Sequence, residues 1–293
     1  MIPYDKRSGK IWYNGDLVDW SNVKVHVLSH GLHYASCVFE GERVYDGLIF
    51  KLEEHTSRLF HSARRMGFEI PYSEDEINSA CKKIISTQKV DNGYVRPVAW
   101  RGSEMMAISA QHTKIHVAIA TWEWGSYFDP KLKIEGIKLN ISSWRRPAPN
   151  TIPWDTKASG LYMICTLSKH EAEKQGYTDS LMLDHEGNVA EATGANIFFK
   201  DKNNELHTPI PDSFLDGITR RTVIEIAKSK KIKVHERKIS PDELKDFVGC
   251  FLTGTAAEVT PVSCIAENQF KVCKMIIDLN ESYQLLVKNK KAA

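Results

Sequence analysis

The chain has 293 residues, 42% of them apolar and 26% charged, an ordinary globular composition long enough for two domains or one large one. Its 39 basic and 37 acidic residues are mixed along the sequence and leave a net charge of +2, so no broad field exists to attract nucleic acid or an anionic membrane. The first residues lack an apolar signal core and no run is apolar enough to span a bilayer, so the expectation is a cytoplasmic protein acting on small molecules.

In chain order, Lys24–Leu28 reads as a strand, and Arg43–Phe50 as a hairpin whose Asp46-Gly47 pair predicts a type I′ turn. Leu52, Leu59, Ala63 and Met66 recur at helical spacing, with Gly67 as a C-terminal stop. Ser73-Glu74-Asp75-Glu76 is a capping box that opens a second helix through Ile77, Cys81 and Ile84. Tyr94–Trp100 and Ile115–Ala120 read as strands, and Pro97 predicts an edge or a bulge for the first. The pattern lapses into a polar linker around Ser126–Lys131, which divides a first domain, 1–127, from a second, 137–293, across residues 128–136.

Beyond it, Ile137–Ser142, Leu181–Leu183, Ile197–Lys200 and Val248–Thr253 read as strands. Helices are predicted from about Gly160 to Gln175, Gly217 to Lys230 and Val272 to Val287, and Lys288–Lys291 as a solvated tail. The six cysteines are irregularly spaced and form no C-x-x-C, which argues against a disulfide frame or zinc site and reads as core residues or inert thiols. His112 and His116 lie four apart in a segment that reads as strand, where a period of two makes that spacing less telling, and neither an H-E-x-x-H nor a nucleotide-binding glycine motif occurs.

Lys157, in Thr156-Lys157-Ala158-Ser159-Gly160, is followed 34 residues later by Glu191, the lone acid of Ala190-Glu191-Ala192-Thr193-Gly194-Ala195-Asn196. Pyridoxal phosphate chemistry needs such a pair: an amine to form an imine and shuttle protons, and an anion to keep the pyridine nitrogen protonated. On spacing alone a solvated lysine is the commoner case. Two segments suit a phosphate: Leu215-Asp216-Gly217-Ile218-Thr219-Arg220, where a helix opens, and Thr253-Gly254-Thr255-Ala256-Ala257-Glu258, a small-residue turn after a strand. Each, taken singly, is also an ordinary cap or turn.

These segments, with Ser29-His30-Gly31-Leu32-His33-Tyr34, Val38-Phe39-Glu40-Gly41-Glu42-Arg43 and Ser143-Trp144-Arg145-Arg146-Pro147-Ala148-Pro149-Asn150, occur in the order found in class IV, fold-type IV pyridoxal-phosphate aminotransferases. The chain resembles that family nearly end to end, and within it the branched-chain amino acid aminotransferases. The resemblance implies a mixed α/β fold of two domains with pyridoxal 5'-phosphate at their junction. It implies Lys157 as the imine lysine, Glu191 at the ring nitrogen and Tyr162 near the phenolic oxygen. Arg58, Ile218, Thr219 and Thr255 would hold the phosphate, with Leu215 also at the cofactor.

For substrate, the resemblance implies an apolar pocket of Phe39, Tyr34, Trp124 and Tyr127, with Tyr34 reaching across a dimer interface. Tyr94 and Arg96, two apart on one strand face, and the amides of Thr255 and Ala256 would read carboxylates. The implied activity is amino transfer between a branched-chain L-amino acid and 2-oxoglutarate, in a ping-pong cycle, by a homodimer or higher homo-oligomer. One departure stands out: Arg101 occupies a loop that is usually apolar, where an arginine meets a substrate carboxylate or points to solvent. It leans toward the rival activities of the fold, D-amino acid or (R)-amine transamination or an aminodeoxychorismate lyase-like reaction. A non-catalytic protein that keeps the fold is the alternative from another class.

Overall fold

The computed structural model describes residues 2–125 and 127–288. The chain gathers into two compact units, one holding residues up to Gly125 with Thr156–Gly160 and the last described residues from Val287, the other holding the rest up to Leu286.

The first unit is built on a seven-stranded antiparallel sheet in the order Asp16–Asp19, Lys10–Tyr13, Ile115–Glu123, Gly93–Arg101, Glu42–Tyr45, Leu48–Ile49, with Cys37–Phe39 also paired to Gly93–Arg101. Helices Leu52–Arg65 and Glu74–Gln88 pack on it. Ser73 accepts from the Glu76 amide while Glu76 accepts from the Ser73 amide, so the predicted capping box forms. Asp46 and Gly47 both take positive φ, 49° and 76°, as a type I′ hairpin requires. Strand alternation sorts the central strand: Val95 and Ala99 are fully buried in the core, while Tyr94, Arg96 and Val98 share the other face.

Two expectations fail here. Lys24–Leu28 is not a strand; Val25, Val27 and Leu28 are exposed, and alternation without a neighbouring strand to pair with does not make one. Pro97 sits on an interior strand, not at an edge, with Ile119 opposite it on one side. On its other side Cys37–Phe39 and Glu42–Tyr45 pair with Gly93–Arg101 in one continuous register, interrupted at Glu40 and Gly41. The Glu40 amide donates to the Pro97 carbonyl at 2.9 Å, and proline has no N–H to return that bond.

The second unit is a nine-stranded mixed sheet in the order Val189–Ala192, Asp179–Leu183, Ile137–Arg145, Glu258–Ile265, Gly249–Gly254, Asn196–Lys200, Leu206–Thr208, Val234–Glu236, with Asn268–Gln269 also paired to Glu258–Ile265. Because Val189–Ala192 also pairs with Asn196–Lys200, the first six strands close on themselves. Alternate residues Ile137, Leu139, Leu181, Ile197, Phe199, Leu252 and Val262 fill the enclosed core. Phe198 and Phe251, opposite one another in register, stack at 5.0 Å, and each fully buried ring contributes roughly 2–3 kcal/mol of burial. Helices Met163–Lys174, Ile218–Ser229 and, through most of its length, Lys274–Val287 belong to this unit. Asp129 caps a six-residue helix, Pro130–Glu135, inside the stretch read as a linker. Ser126, and the tail from Asn289 on, lie outside the described residues. Among the described residues no helix is long and apolar enough to cross a membrane.

Candidate active site

In the first unit, the lysine segment adds itself to the sheet. The Phe39 amide donates to the Lys157 carbonyl at 3.1 Å and Val38 bridges to Ala158, so Phe39 and Lys157 are opposite one another and their side chains share a face. The Lys157 amide donates to Ser62 Oγ at 3.0 Å, which ties the same segment to helix Leu52–Arg65. Lys157 Nζ lies 5.1 Å from the centre of the Phe39 ring. Burial, then the Arg58 guanidinium, lowers the Lys157 amine to about 8, with Glu40 and Tyr94 pulling the other way and Arg96 adding to the depression. Far more of this amine is neutral and nucleophilic near physiological pH than of a lysine at its ordinary value, though the protonated form still predominates.

Around it the same face gathers Arg96, whose guanidinium stacks on Phe39 at 4.6 Å and lies 5.4 Å from Tyr94. Trp124 meets Tyr94 edge-on at 4.7 Å, and Arg43 Nη1 donates to the carbonyls of Trp124 and Gly125. Gly41 is required by this packing: a Cβ there would lie 1.8 Å from the Tyr94 hydroxyl.

The opposite face of the same stretch carries Glu40, fully buried. Arg58 donates Nε to Oε1 at 2.6 Å and Nη2 to Oε2 at 2.9 Å, and His55 Nδ1 lies 2.7 Å from Oε2. Burial alone would raise the Glu40 carboxyl, but Arg58 and His55 outweigh it and hold it well below the usual carboxylate range. Burial also lowers His55 against the pull of Glu40, so the neutral ring donates its Nδ1 proton to the carboxylate. Glu42, two residues on, is pushed well above the carboxylate range by burial and by Glu40. The two neighbouring acids are thus pushed in opposite directions. Glu40, His55 and Ser62 were not singled out from sequence; a His-x-x-Arg spacing on a helix beside a buried acid is the signal that would have found them.

In the second unit, Glu191 sits on Val189–Ala192, a strand the sequence reading missed. It is buried, with Asn196 Nδ2 donating to Oε2 at 3.1 Å and Arg146 Nε 3.5 Å from Oε1. Arg146 also donates to Cys165 Sγ at 3.4 Å. Asn196 organises the segment beyond: its Nδ2 donates to the Leu215 carbonyl and its Oδ1 accepts from the Gly217 amide. Gly217 precedes helix Ile218–Ser229 and offers no side chain to cap the amides of Ile218 and Thr219. A Cβ at Gly217 would lie 2.1 Å from Asn196 Oδ1. Thr255 and Ala256 form the turn between paired strands Gly249–Gly254 and Glu258–Ile265, closed by Glu258 at φ 55° and its 2.6 Å pair with Lys133.

Tyr162 ends the short turn Ser159–Tyr162 and precedes helix Met163–Lys174. Tyr34 and Tyr127 are exposed rings, the first stacked on His30 at 4.5 Å and the second edge-on to Phe128. Arg101 does not point to solvent. It is buried, donating Nη1 to the Ala110 carbonyl at 2.7 Å and to Thr113 Oγ1, and Nη2 to the Gly67 carbonyl at 2.6 Å, because its strand ends beneath those loops.

A family model described as amino-transferase class IV matches residues 37–265. The chain is 41% identical to a probable branched-chain-amino-acid aminotransferase of Rickettsia conorii over 292 residues, 98% of this chain and 99% of that one. It superposes on the branched-chain amino acid aminotransferase of Escherichia coli with a TM-score of 0.93 and 35% identity, covering 97% and 96% of the two chains. The branched-chain amino acid aminotransferase of Thermobaculum terrenum, solved in its PLP-bound holo form, superposes with a TM-score of 0.88 and 28% identity over 97% and 95%. The residues present fit a phosphorylated aldehyde cofactor. The first unit offers an amine lowered to about 8 and a partly buried arginine; the second offers a buried acid and the uncapped amides of a helix start. The chain belongs to the class IV aminotransferases.

Proposed function

We propose that this protein is a pyridoxal 5'-phosphate-dependent transaminase that moves the amino group of a branched-chain L-amino acid to 2-oxoglutarate in two half-reactions. The observation that carries the reading is the Lys157 amine, lowered to about 8 and held against Phe39 among Arg58, Arg96 and Tyr94. The names of the relatives, all branched-chain aminotransferases, support the substrate class.

When bound, the cofactor supplies an electron sink for the charge that develops at the substrate Cα. Lys157 would supply the amine that binds its aldehyde and, once displaced by the substrate's amine, would take the substrate's Cα proton at Nζ and deliver it to the cofactor carbon that held the aldehyde. Glu191, steadied by Asn196 and Arg146, holds the proton on the pyridine nitrogen. Arg58, the amides of Ile218 and Thr219, and Thr255 hold the phosphate, with Leu215 beside the ring and Tyr162 at the phenolic oxygen. Arg96, Tyr94 and the Thr255 and Ala256 amides orient carboxylates, while Phe39, Trp124, Tyr127 and a partner subunit's Tyr34 exclude water from an apolar side chain.

Arg101 is buried, with Nη1 and Nη2 donating to loop groups, which supports this reading over D-amino acid, (R)-amine or lyase chemistry. Cytoplasmic location and a homodimer or higher oligomer belong to the same proposal, the exposed Tyr34 being its support for assembly. The test is the absorbance spectrum of the purified protein with L-leucine, D-alanine and an (R)-arylamine. L-Leucine should bleach the visible band; inactivity with L-leucine together with turnover of D-alanine overturns the reading.

A further inference from the structure

Helix Leu52–Arg65 brings His55 and Arg58 to one side, three residues apart, and both end on Glu40. Glu40 accepts at both oxygens, from Arg58 Nε and Nη2, from His55 and, at 3.2 Å, from the Gly41 amide. A bidentate contact fixes the plane of a guanidinium as well as its position. Stability alone gives little reason for such a pair, because the cost of burying two charges roughly offsets their attraction, and an apolar pair would serve the core as well.

Position gives a better reason. Glu40 lies between Phe39, which faces Lys157, and Gly41, which admits the Tyr94 hydroxyl, so one three-residue stretch registers the arginine, the lysine and the tyrosine together. We propose that Glu40, backed by His55, is a positioning residue that locks the Arg58 guanidinium for the cofactor's phosphate. The proposal rests on the reading of Arg58 as a phosphate ligand given above.

The test is a titration of cofactor-free protein with pyridoxal 5'-phosphate and, separately, with pyridoxal, which lacks the phosphate. Glu40→Gln should weaken pyridoxal 5'-phosphate binding by about 10-fold without weakening pyridoxal binding. In the Arg58→Gln background it should cause no further loss, because the interaction it serves is already gone. Equal weakening toward both ligands, or a full additional loss on top of Arg58→Gln, would mean that Glu40 acts through the fold and would overturn the proposal. Wild-type affinity in Glu40→Gln beside weakened Arg58→Gln would overturn it while leaving the phosphate reading intact. Wild-type affinity in Arg58→Gln would sink the phosphate reading and the proposal with it. If Glu40→Gln does not fold, His55→Gln, which keeps the ion pair, reads the same selectivity: a loss confined to the phosphorylated ligand supports the proposal and a loss shared by both overturns it.

Discussion

Phe39 and Lys157 face each other across a short antiparallel pairing, joined by a 3.1 Å backbone bond, with the lysine amine 5.1 Å from the ring centre. The amine is thus placed by sheet register and not by a mobile loop. Lys157→Ala keeps that backbone bond and removes the amine together with its aliphatic stem. Turnover of L-leucine is expected to fall by at least about 100-fold with the melting temperature nearly unchanged; activity within a few-fold of wild type would remove Lys157 from the mechanism.

The charges beside that amine set its titration in the cofactor-free protein. Labelling of Lys157 by an amine reagent, followed by peptide mapping, should rise with pH to a plateau with a midpoint near 8. Glu40 raises the amine's pKa and Arg58 lowers it, so Glu40→Gln should move the midpoint down and Arg58→Gln should move it up. Shifts of the same sign in both variants would contradict the electrostatic account.

The Glu40 carboxyl ionises well below the usual range in the fold, against about 4.3 for a glutamate in the unfolded chain. Its contribution to stability is therefore fully present above about pH 4.3 and is lost as the pH falls through the folded value. The stability gap between wild type and Glu40→Gln, measured by urea unfolding, should be widest at neutral pH and narrow in acid. A gap that does not depend on pH would place the effect of the substitution in packing.

Arg101 donates to two loop carbonyls and a threonine hydroxyl while buried. Arg101→Gln leaves those acceptors without their donors and should destabilise the protein by about 2–3 kcal/mol. The ratio of L-leucine to D-alanine turnover should stay as in wild type. A change in that ratio without loss of stability would return Arg101 to the substrate site.

Glu191 accepts from Asn196 and lies beside Arg146, so Glu191→Gln preserves shape while removing the charge. Cofactor affinity should change little, and the rate of the L-leucine half-reaction should fall by about 100-fold or more. An unaltered rate would mean that the ring nitrogen is held elsewhere.

Much of this was legible in the sequence because it is local. The Asp46-Gly47 turn and the Ser73–Glu76 box act within four residues and form as read. What escaped depends on distant partners. Val189-Ala190-Glu191-Ala192 is short and alanine-rich, with weak strand propensity, and becomes a strand because neighbours pair on both sides. Lys24–Leu28 shows the converse, with strand-like alternation and exposed side chains. Arg58 stood out by resemblance, but the acid that holds it lies 18 residues away, across a turn and on another element. Asn196 was likewise hidden: its three bonds to Glu191, Leu215 and Gly217 join segments up to 21 residues apart.

The chain leaves the first unit after Gly125, returns for Thr156–Gly160 and leaves again. No single cut in the polypeptide can therefore release that unit with its lysine aboard without also carrying residues 126–155 of the second unit, and a fragment ending at the first crossing would carry Arg58, Arg96 and Tyr94 but lack the amine they surround. The two halves cannot be exchanged between genes like beads on a string; they must be inherited, and tested, as one piece.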